Sequence, residues 1–406
     1  MTSKIHAEPI PIPTKARAPE IGRAPKNREN RIMAGQIIVL NGFLRCLDME
    51  KTLKFLENGV KSGNRRFIYT RIDAEKLNVP AHVPKGWFRF QPPNLPQVKP
   101  TEFLKLFEAE KKSDGSYVYR FHGESSPMGP NLYGGLMYAQ ALLAAQNEVD
   151  QEFRPTSFHG LYVGPSDTQK PMDYQVKKLR DGKSFSARYV EGRQDGKVVF
   201  AGLGNFYKPF EPTMIHSIEM PKVPPPEQCQ DMYEFLEESL KRHENGEERL
   251  DERTLSHIQR RYFDRETNIT DFRFVNPRAY FFVEPYKNDP VQYWFKTRVP
   301  LTDPKLPKII HQLLISYVSD QTMASCNVGP HLSHGHDAAH ATSLDHTIWF
   351  HNFDFRADDW IFINAQSPNA DSGTAFGACS IWTRDGKLIA SGGQESLARL
   401  KTLSKL

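Results

Sequence analysis

Apolar residues recur along this chain in two rhythms. From Lys308 onward they fall at Ile310, Leu313, Leu314 and Tyr317, the spacing of one helix face. A stretch opening at Tyr133 and reading Gly-Gly-Leu-Met-Tyr-Ala-Gln-Ala-Leu to Leu142 is apolar enough for a helix enclosed by a sheet. Elsewhere the rhythm is two. Leu344, His346, Ile348 and Phe350 alternate with Ser343, Asp345, Thr347 and Trp349, which predicts a strand. Further strands are expected over residues 116–121, 157–163, 172–179, 185–191, 197–206, 279–284 and 292–299, and one after Asp385-Gly-Lys. Asp181-Gly182, Asp195-Gly196 and Asp385-Gly386 read as hairpin turns.

The intervening stretches differ in character. Residues 1–32 carry five prolines and seven Lys or Arg against three Glu, the composition of a disordered basic arm. Its prolines and Glu8, Glu20 and Glu29 speak against a mitochondrial transit helix. Residues 33–100 read as an α/β extension of unknown role: a strand over 36–40, a helix over 49–60, a strand over 66–70, closed by Pro92, Pro93 and Pro96. Residues 211–270 form a connection. Within it Pro221-Lys-Val-Pro-Pro-Pro226 is a rigid spacer, and Met232, Phe235, Leu236 and Leu240 make an amphipathic helix among mixed charges. Residues 101–210 and 271–400 are then two similar blocks. Setting Asp195-Gly-Lys-Val-Val199 against Asp385-Gly-Lys-Leu-Ile389 exposes the internal repeat.

Composition removes several classes of function. A net charge of +5 over 406 residues is too mild to make nucleic acid the main partner. No apolar run is long enough to span a membrane, and no signal-peptide core follows Met1. Cys46, Cys229, Cys326 and Cys379 have neither metal nor redox spacing and are expected to be reduced, in an intracellular protein. The tail 401–406 ends in Ser404-Lys405-Leu406, the peroxisomal address read by an import receptor, so a peroxisomal location is expected.

Four places could carry chemistry. Asp320 continues the stripe of Leu313 and Tyr317, where a carboxylate is costly unless partnered. It is expected toward the helix C-terminus, where the dipole disfavours an anion. It is therefore either a site residue or a solvated residue at a fraying end. Asp345 and His346 are adjacent in a strand and point to opposite faces, which argues against a Ser343-His346-Asp345 triad built from this segment alone. Gly392 and Gly393 leave their strand bare for a close approach, and Gln394 follows; alone it reads equally as an exposed strand glutamine. His331, His334, His336 and His340 are expected in one flexible loop, without the spacing of a helix-based metal pair, and no metal site is assigned. No Gly-x-Ser-x-Gly elbow is present.

Several blocks share one order: Phe121-His-Gly-Glu124, Tyr133-Gly-Gly135, Ser184-Phe-Ser-Ala-Arg188, His311-Gln312, Ser319-Asp320, Asp345-His-Thr-Ile-Trp-Phe-His351 and Gln394-Glu395. Over roughly residues 101–400 the chain resembles the acyl-CoA thioesterase II family of bacteria and peroxisomes. The resemblance implies an α+β double hotdog: two fused repeats, each a long helix wrapped by an antiparallel sheet. It implies hydrolysis of fatty acyl-CoA by water, with coenzyme A as part of the substrate and no separate cofactor. The family's catalytic residues carry over to Asp320, Ser343 and Gln394, with Ser343 where the family more often has Thr. On that footing Asp320 would be the general base, and Ser343 and Gln394 would hold the water. Gly134 and Gly135 either make a tight turn into the helix or present N–H groups to the thioester oxygen or a CoA phosphate. Family members often associate through their sheets, which admits a homo-oligomer.

Two rivals share this architecture. A non-catalytic acyl-CoA-binding or scaffold protein would lack at least one of Asp320, Ser343 and Gln394, and all are present. A hotdog enoyl-CoA hydratase would need a paired Asp and His that is not seen. Aligning the repeats sets Ala144 against Asp320, Gly204 against Gln394 and Thr156 near Ser343. One active centre per chain is therefore expected, in the second half.

Overall fold

The computed structural model describes residues 105–120 and 131–400, except 264, 266, 267, 287, 288 and 335–337. The elements expected within 33–100, the Phe121–Glu124 block and the Ser404–Leu406 tail lie outside the described residues. The described elements run β1 (Glu110–Lys111), β2 (Tyr117–Tyr119), α1 (Gly134–Gln146), β3 (Arg154–Tyr162), β4 (Met172–Asp181), β5 (Phe185–Gln194) and β6 (Lys197–Tyr207). They continue with α2 (Met232–Glu244), α3 (Glu252–Phe263), β7 (Thr270–Phe274), α4 (Pro277–Tyr280), β8 (Val291–Thr297) and α5 (Ile310–Leu332). The last are β9 (Ala338–Ser343), β10 (Asp345–Phe350), β11 (Ile361–Asp371), β12 (Thr374–Thr383) and β13 (Leu388–Leu400).

Among the described residues the strands form one antiparallel sheet in the order β1-β2-β4-β5-β6-β3-β10-β13-β12-β11-β8-β7, with β9 beside β13. The first six of these pair around α1 and the last six around α5. The two halves join where β3 pairs with β10, with Phe158 opposite Ile348. Tyr138 of α1 seals that seam. Its hydroxyl accepts the Ile348 N–H at 3.1 Å and donates to the Phe158 carbonyl. Each half is thus a helix wrapped by a sheet, the hotdog arrangement that the resemblance implies.

The reasons for the helices are local. Nearly every residue of α1 is buried, as its uniformly apolar composition requires. The chain just past its end is held by Arg188 of β5, which donates to Glu148 O through both Nε, at 3.1 Å, and Nη2, at 2.5 Å. Helix α2 starts at Asp231, whose carboxylate accepts the Tyr233 and Glu234 N–H groups at 2.8 and 3.2 Å. Asp195 and Gly196 both have positive φ, 49° and 76°, as a two-residue hairpin between β5 and β6 demands.

Three local expectations change. Residues 277–280 are a short helix, not the start of a strand, because Asn276 caps Ala279 N at 3.2 Å and Pro277 sets the first helical φ. Asp181-Gly182 does lead the hairpin from β4 to β5, but Asp181 still belongs to β4 and the connection is the three residues 182–184. His331 belongs to the last turn of α5 rather than to a loop. The proline-rich spacer also does more than separate: Pro224 O accepts the Trp294 indole N–H at 2.9 Å, and Met220, Val223 and Cys229 cover Trp294, Phe362 and Trp382 on the outer face of the second half.

Candidate active site

Helix α5 extends twelve residues beyond Asp320, to Leu332. Asp320 therefore sits mid-helix, not at the C-terminal end. The polar residues after it are buried and partnered: Thr322 Oγ1 lies 2.6 Å from the Tyr293 hydroxyl, and Asn327 Nδ2 donates to Ser396 Oγ at 2.9 Å. The nearest helix end is that of α1, and it is the positive one. Gly135, in the first turn of α1, donates its N–H to Asp320 Oδ2 at 2.8 Å. The dipole of α1 thus favours the carboxylate.

The approach of α1 to α5 needs glycine. A Cβ on Gly135 would lie 2.6 Å from the Tyr317 carbonyl oxygen. That oxygen also accepts the Tyr133 hydroxyl at 2.6 Å, and the two tyrosine rings meet edge to face.

Strands β9 and β13 bring the other two candidates. Ser343 is the last residue of β9 and stands opposite Ser396 of β13. Gln394 is on β13, fully buried, opposite Gly377. Its Nε2 donates to Asp320 Oδ1 at 2.9 Å and also to Ser343 Oγ. Ser343 Oγ in turn donates to Asp320 Oδ1 at 3.4 Å. Asp320, Ser343 and Gln394 are thus brought together, but both partners address the carboxylate and each other. Gly135 also differs from the expectation of a free donor, since its N–H is directed at Asp320. Gly392 and Gly393 are indeed closely approached: a Cβ on Gly392 would meet Ile348 Cδ1 at 2.6 Å, and one on Gly393 the Phe376 ring at 3.2 Å.

Asp320 is 5% exposed. Burial pushes its carboxyl up to about 6, while the hydrogen bonds from Gly135, Gln394 and Ser343 pull in the other direction. It remains ionised at neutral pH and is basic enough to take a proton.

His346 and Asp345 point to opposite faces, as the alternation requires. Asp345 Oδ1 accepts the Glu395 N–H at 2.6 Å on the outer side. His346 is buried behind Gln394, with Nε2 3.0 Å from Ser319 Oγ and its ring edge-on to Tyr138. Burial drives its pKa down to about 3, so the imidazole is neutral. Residues 338–343 and 345–350 form separate strands because Leu344 breaks the run; its N–H goes to Glu395 O and its carbonyl to Tyr162 N. Sequence reasoning gave no role to Tyr162, Ser319 or Asn327. The alternation placing His346 beside Ile348 inside was the one signal available for that residue. Among the described residues no group of three or more His, Cys, Asp or Glu is placed to hold a metal.

Among the described residues the first half has no such cluster. Ala144 is a buried methyl in α1. A Cβ on Gly204 would meet the Phe206 and Phe158 rings at 2.8 and 2.9 Å, so aromatic carbon fills that place. Thr156 donates to the Asn205 carbonyl at 3.2 Å.

The family model for the acyl-CoA thioesterase N-terminal domain matches residues 121–207, and that for the C-terminal domain matches residues 226–398. Acyl-coenzyme A thioesterase 8 of Rattus norvegicus is 30% identical over 285 residues, which cover 70% of this chain and 85% of that protein. The chain belongs to the acyl-CoA thioesterase II family. Another relative, acyl-CoA thioesterase 2 of Haemophilus influenzae, is 31% identical over 301 residues, covering 73% of this chain and 96% of that one. The peroxisomal acyl-coenzyme A thioester hydrolase 1 of Saccharomyces cerevisiae is 22% identical, covering 72% and 92%. Among solved structures, an acyl-CoA thioesterase II from Mycobacterium marinum superposes with TM-score 0.55 at 26% identity, over 73% of this chain and 98% of that one. A protein from Alicyclobacillus acidocaldarius described as a hot dog fold superposes with TM-score 0.54 at 15% identity, over 74% and 98%, and shares the fold. In this family setting the double hotdog of the two halves is a thioesterase scaffold.

Proposed function

We propose that this chain hydrolyses fatty acyl-CoA to the free acid and coenzyme A by direct attack of water, with Asp320 as general base. The observation that carries the reading is a buried aspartate held at both oxygens by donors from three separate elements. Water's oxygen bonds to the thioester carbon, and its proton passes to Asp320. The carbonyl electron pair moves onto oxygen. Collapse breaks the C–S bond, and the CoA thiolate leaves and takes up the proton. A thiol ionises near pH 8.5, so the leaving group needs little help. The chemistry then rests on the base and on a donor to the oxyanion. The Gly135 N–H and both Gln394 amide hydrogens are engaged with Asp320 and Ser343, which leaves that part to the Gly134 N–H at the start of α1. Such a donor is worth about 3 kcal/mol elsewhere.

Ser343 and Gln394 are positioning groups in this reading. They fix one carboxylate oxygen and leave the other directed toward the first turn of α1. Ser343 as a nucleophile would require a base free to take its proton in an acylation step. Its contact with Asp320 is long, and it also receives the Gln394 amide.

We further propose that the protein works in peroxisomes. The support is Ser404-Lys405-Leu406 in the sequence, together with the peroxisomal name of the yeast relative. The activity is tested by CoA release, followed with a thiol reagent, across acyl-CoA lengths. Turnover that is lost in Asp320→Asn supports the reading; equal turnover in both proteins refutes it.

A further inference from the structure

Tyr162 ends β3, and its backbone N–H donates to the Leu344 carbonyl at 2.9 Å, one residue from Ser343. The ring packs edge to face on Phe200 and leans over the first turn of α1. Part of the residue is exposed, but its hydroxyl is buried and has no hydrogen-bond partner among the described residues. A buried hydroxyl without a partner is disfavoured relative to the same ring without it, so it calls for an explanation.

Gly134 supplies the geometry. A Cβ placed there would lie 3.0 Å from Tyr162 Oη and 3.1 Å from Asp320 Oδ2. The two oxygens therefore stand no more than about 6 Å apart, both beside the place where glycine has no side chain. They are not bonded to each other. A single oxygen atom hydrogen-bonded to both would span at most roughly 5.6 Å.

Asp320 narrows the choice of what that atom is. Among the described residues Oδ1 accepts from Gln394 and Ser343, whereas Oδ2 accepts only from Gly135. A carboxylate has about four acceptor positions, so the remaining one is on Oδ2, the oxygen beside Gly134. A water giving its proton to Asp320 has to sit there.

We propose that Tyr162 is a further catalytic residue, whose hydroxyl hydrogen-bonds the attacking water in the notch over Gly134 while Asp320 Oδ2 takes its proton. The proposal rests on Asp320 being the base. Tyr162 donates to one lone pair of the water and leaves the other for the thioester carbon. The tyrosine keeps its own proton throughout, since burial and the Asp320 charge hold its pKa well above the usual value. The centre then combines Gly134, Gly135 and Tyr162 of the first half with Asp320, Ser343 and Gln394 of the second.

The test compares Tyr162→Phe, Gly134→Ala, their double variant and Asp320→Asn in the full chain, measuring kcat, KM and Tm. In Tyr162→Phe, kcat should fall about tenfold or more, KM should stay within about twofold and Tm should hold or rise. In Gly134→Ala the methyl comes 3.0 Å from Tyr162 Oη and 3.1 Å from Asp320 Oδ2 and crowds the water between them, so kcat should fall at least as far. The double variant should be no worse than Gly134→Ala alone, since both changes act on one oxygen. A Tyr162→Phe enzyme with kcat within about twofold of the parent overturns the proposal, and so does additive loss in the double variant. A markedly lower Tm for Tyr162→Phe also overturns it, because a hydroxyl with no protein partner has none to lose. Loss of turnover in Asp320→Asn alone removes only the Tyr162 proposal. Full turnover in Asp320→Asn removes the assignment of the base itself.

Discussion

Gly135 and Asp320 are 185 positions apart in the chain and joined by a 2.8 Å hydrogen bond from backbone N–H to Oδ2. The bond ties the first turn of one helix to the middle of the other, so the two halves build the centre jointly. It also places the carboxylate at the positive end of α1. The missing side chain at Gly135 is what lets the backbones meet, since a Cβ would run into the Tyr317 carbonyl. Burial alone would press Asp320 toward the neutral form. This bond and those of Gln394 and Ser343 keep it ionisable near neutrality.

Asp320→Asn keeps the shape and removes the base. Turnover should fall about a hundredfold to ten-thousandfold, the usual cost of losing a positioned base. The protein should remain folded, because the amide is still hydrogen-bonded and a buried charge has gone. The check is kcat with a melting curve beside it. A folded variant within about threefold of the parent would sink the mechanism.

The same carboxyl sets opposite pH trends for activity and stability. Its pKa is raised from 3.8 to about 6 on folding. The folded state therefore binds more protons than the unfolded state between these values. The stability contributed by the proton is complete below about pH 4 and is lost as pH rises through about 6. The difference is roughly 3 kcal/mol. Asp320→Asn should accordingly be more stable than the parent at pH 7–8, with the gap closing toward pH 4. Catalysis needs the ionised form, so kcat of the parent should fall as pH drops through about 6. Denaturant titrations at several pH values, paired with kcat profiles, test both signs. Equal pH dependence of stability in the two proteins would contradict a raised pKa.

How far the sequence could be read depended on range. The stripe through Leu313 and Tyr317 already placed Asp320 on the inner helix face, and the alternation already turned His346 inward. The helix beyond Asp320 was hidden by Gln321, Thr322, Ser325 and Asn327, polar residues that look solvated. Several of them satisfy buried groups on strands far away, as Asn327 does for Ser396. The short helix at 277–280 was legible in its Asn276-Pro277 start, but the aromatic run after it suggested a strand. Ser343 and Gln394 carried no local signal of function; the family resemblance pointed to them. The partners of Asp320 are set by helix and strand packing, which no local pattern records.

Location can be checked without the enzyme assay. A fluorescent fusion that leaves Ser404-Lys405-Leu406 free should be punctate and coincide with a peroxisomal marker. Deleting or masking the three residues should leave it cytosolic. Mitochondrial import of the deleted form would show that the basic arm is an address.

Tyr138→Phe should act on the seam between the halves. The hydroxyl serves Ile348 N–H and Phe158 O, which face each other across β10 and β3. Without it each of these backbone groups loses a partner, at a cost of about 1–3 kcal/mol for each that is left without another. Denaturant unfolding should show a lower midpoint at unchanged slope. An unchanged midpoint would mean that β3 and β10 close the gap themselves.

The last prediction concerns the inequality of the halves. Ser343 donates to the Asp320 carboxylate and receives the Gln394 amide, whereas its counterpart Thr156 bonds only the Asn205 carbonyl. The positions that align with Asp320 and Gln394 are the buried methyl of Ala144 and Gly204, which packs on aromatic rings, so among the described residues the first half offers no matching base. Removing a hydrogen bond to a charged group costs about 1.5–3 kcal/mol. If the bond is needed to hold Asp320 in the reactive orientation, Ser343→Ala should lower kcat by about tenfold to a hundredfold. Ser343→Thr keeps the hydroxyl and should retain most activity. Thr156→Ala removes one hydrogen bond at the sheet surface and should leave kcat within about twofold. Burst kinetics with a chromogenic thioester add a second readout: direct attack by water gives no burst in either protein. Comparable losses from Ser343→Ala and Thr156→Ala would contradict a single centre, and a burst abolished by Ser343→Ala would make that serine the nucleophile.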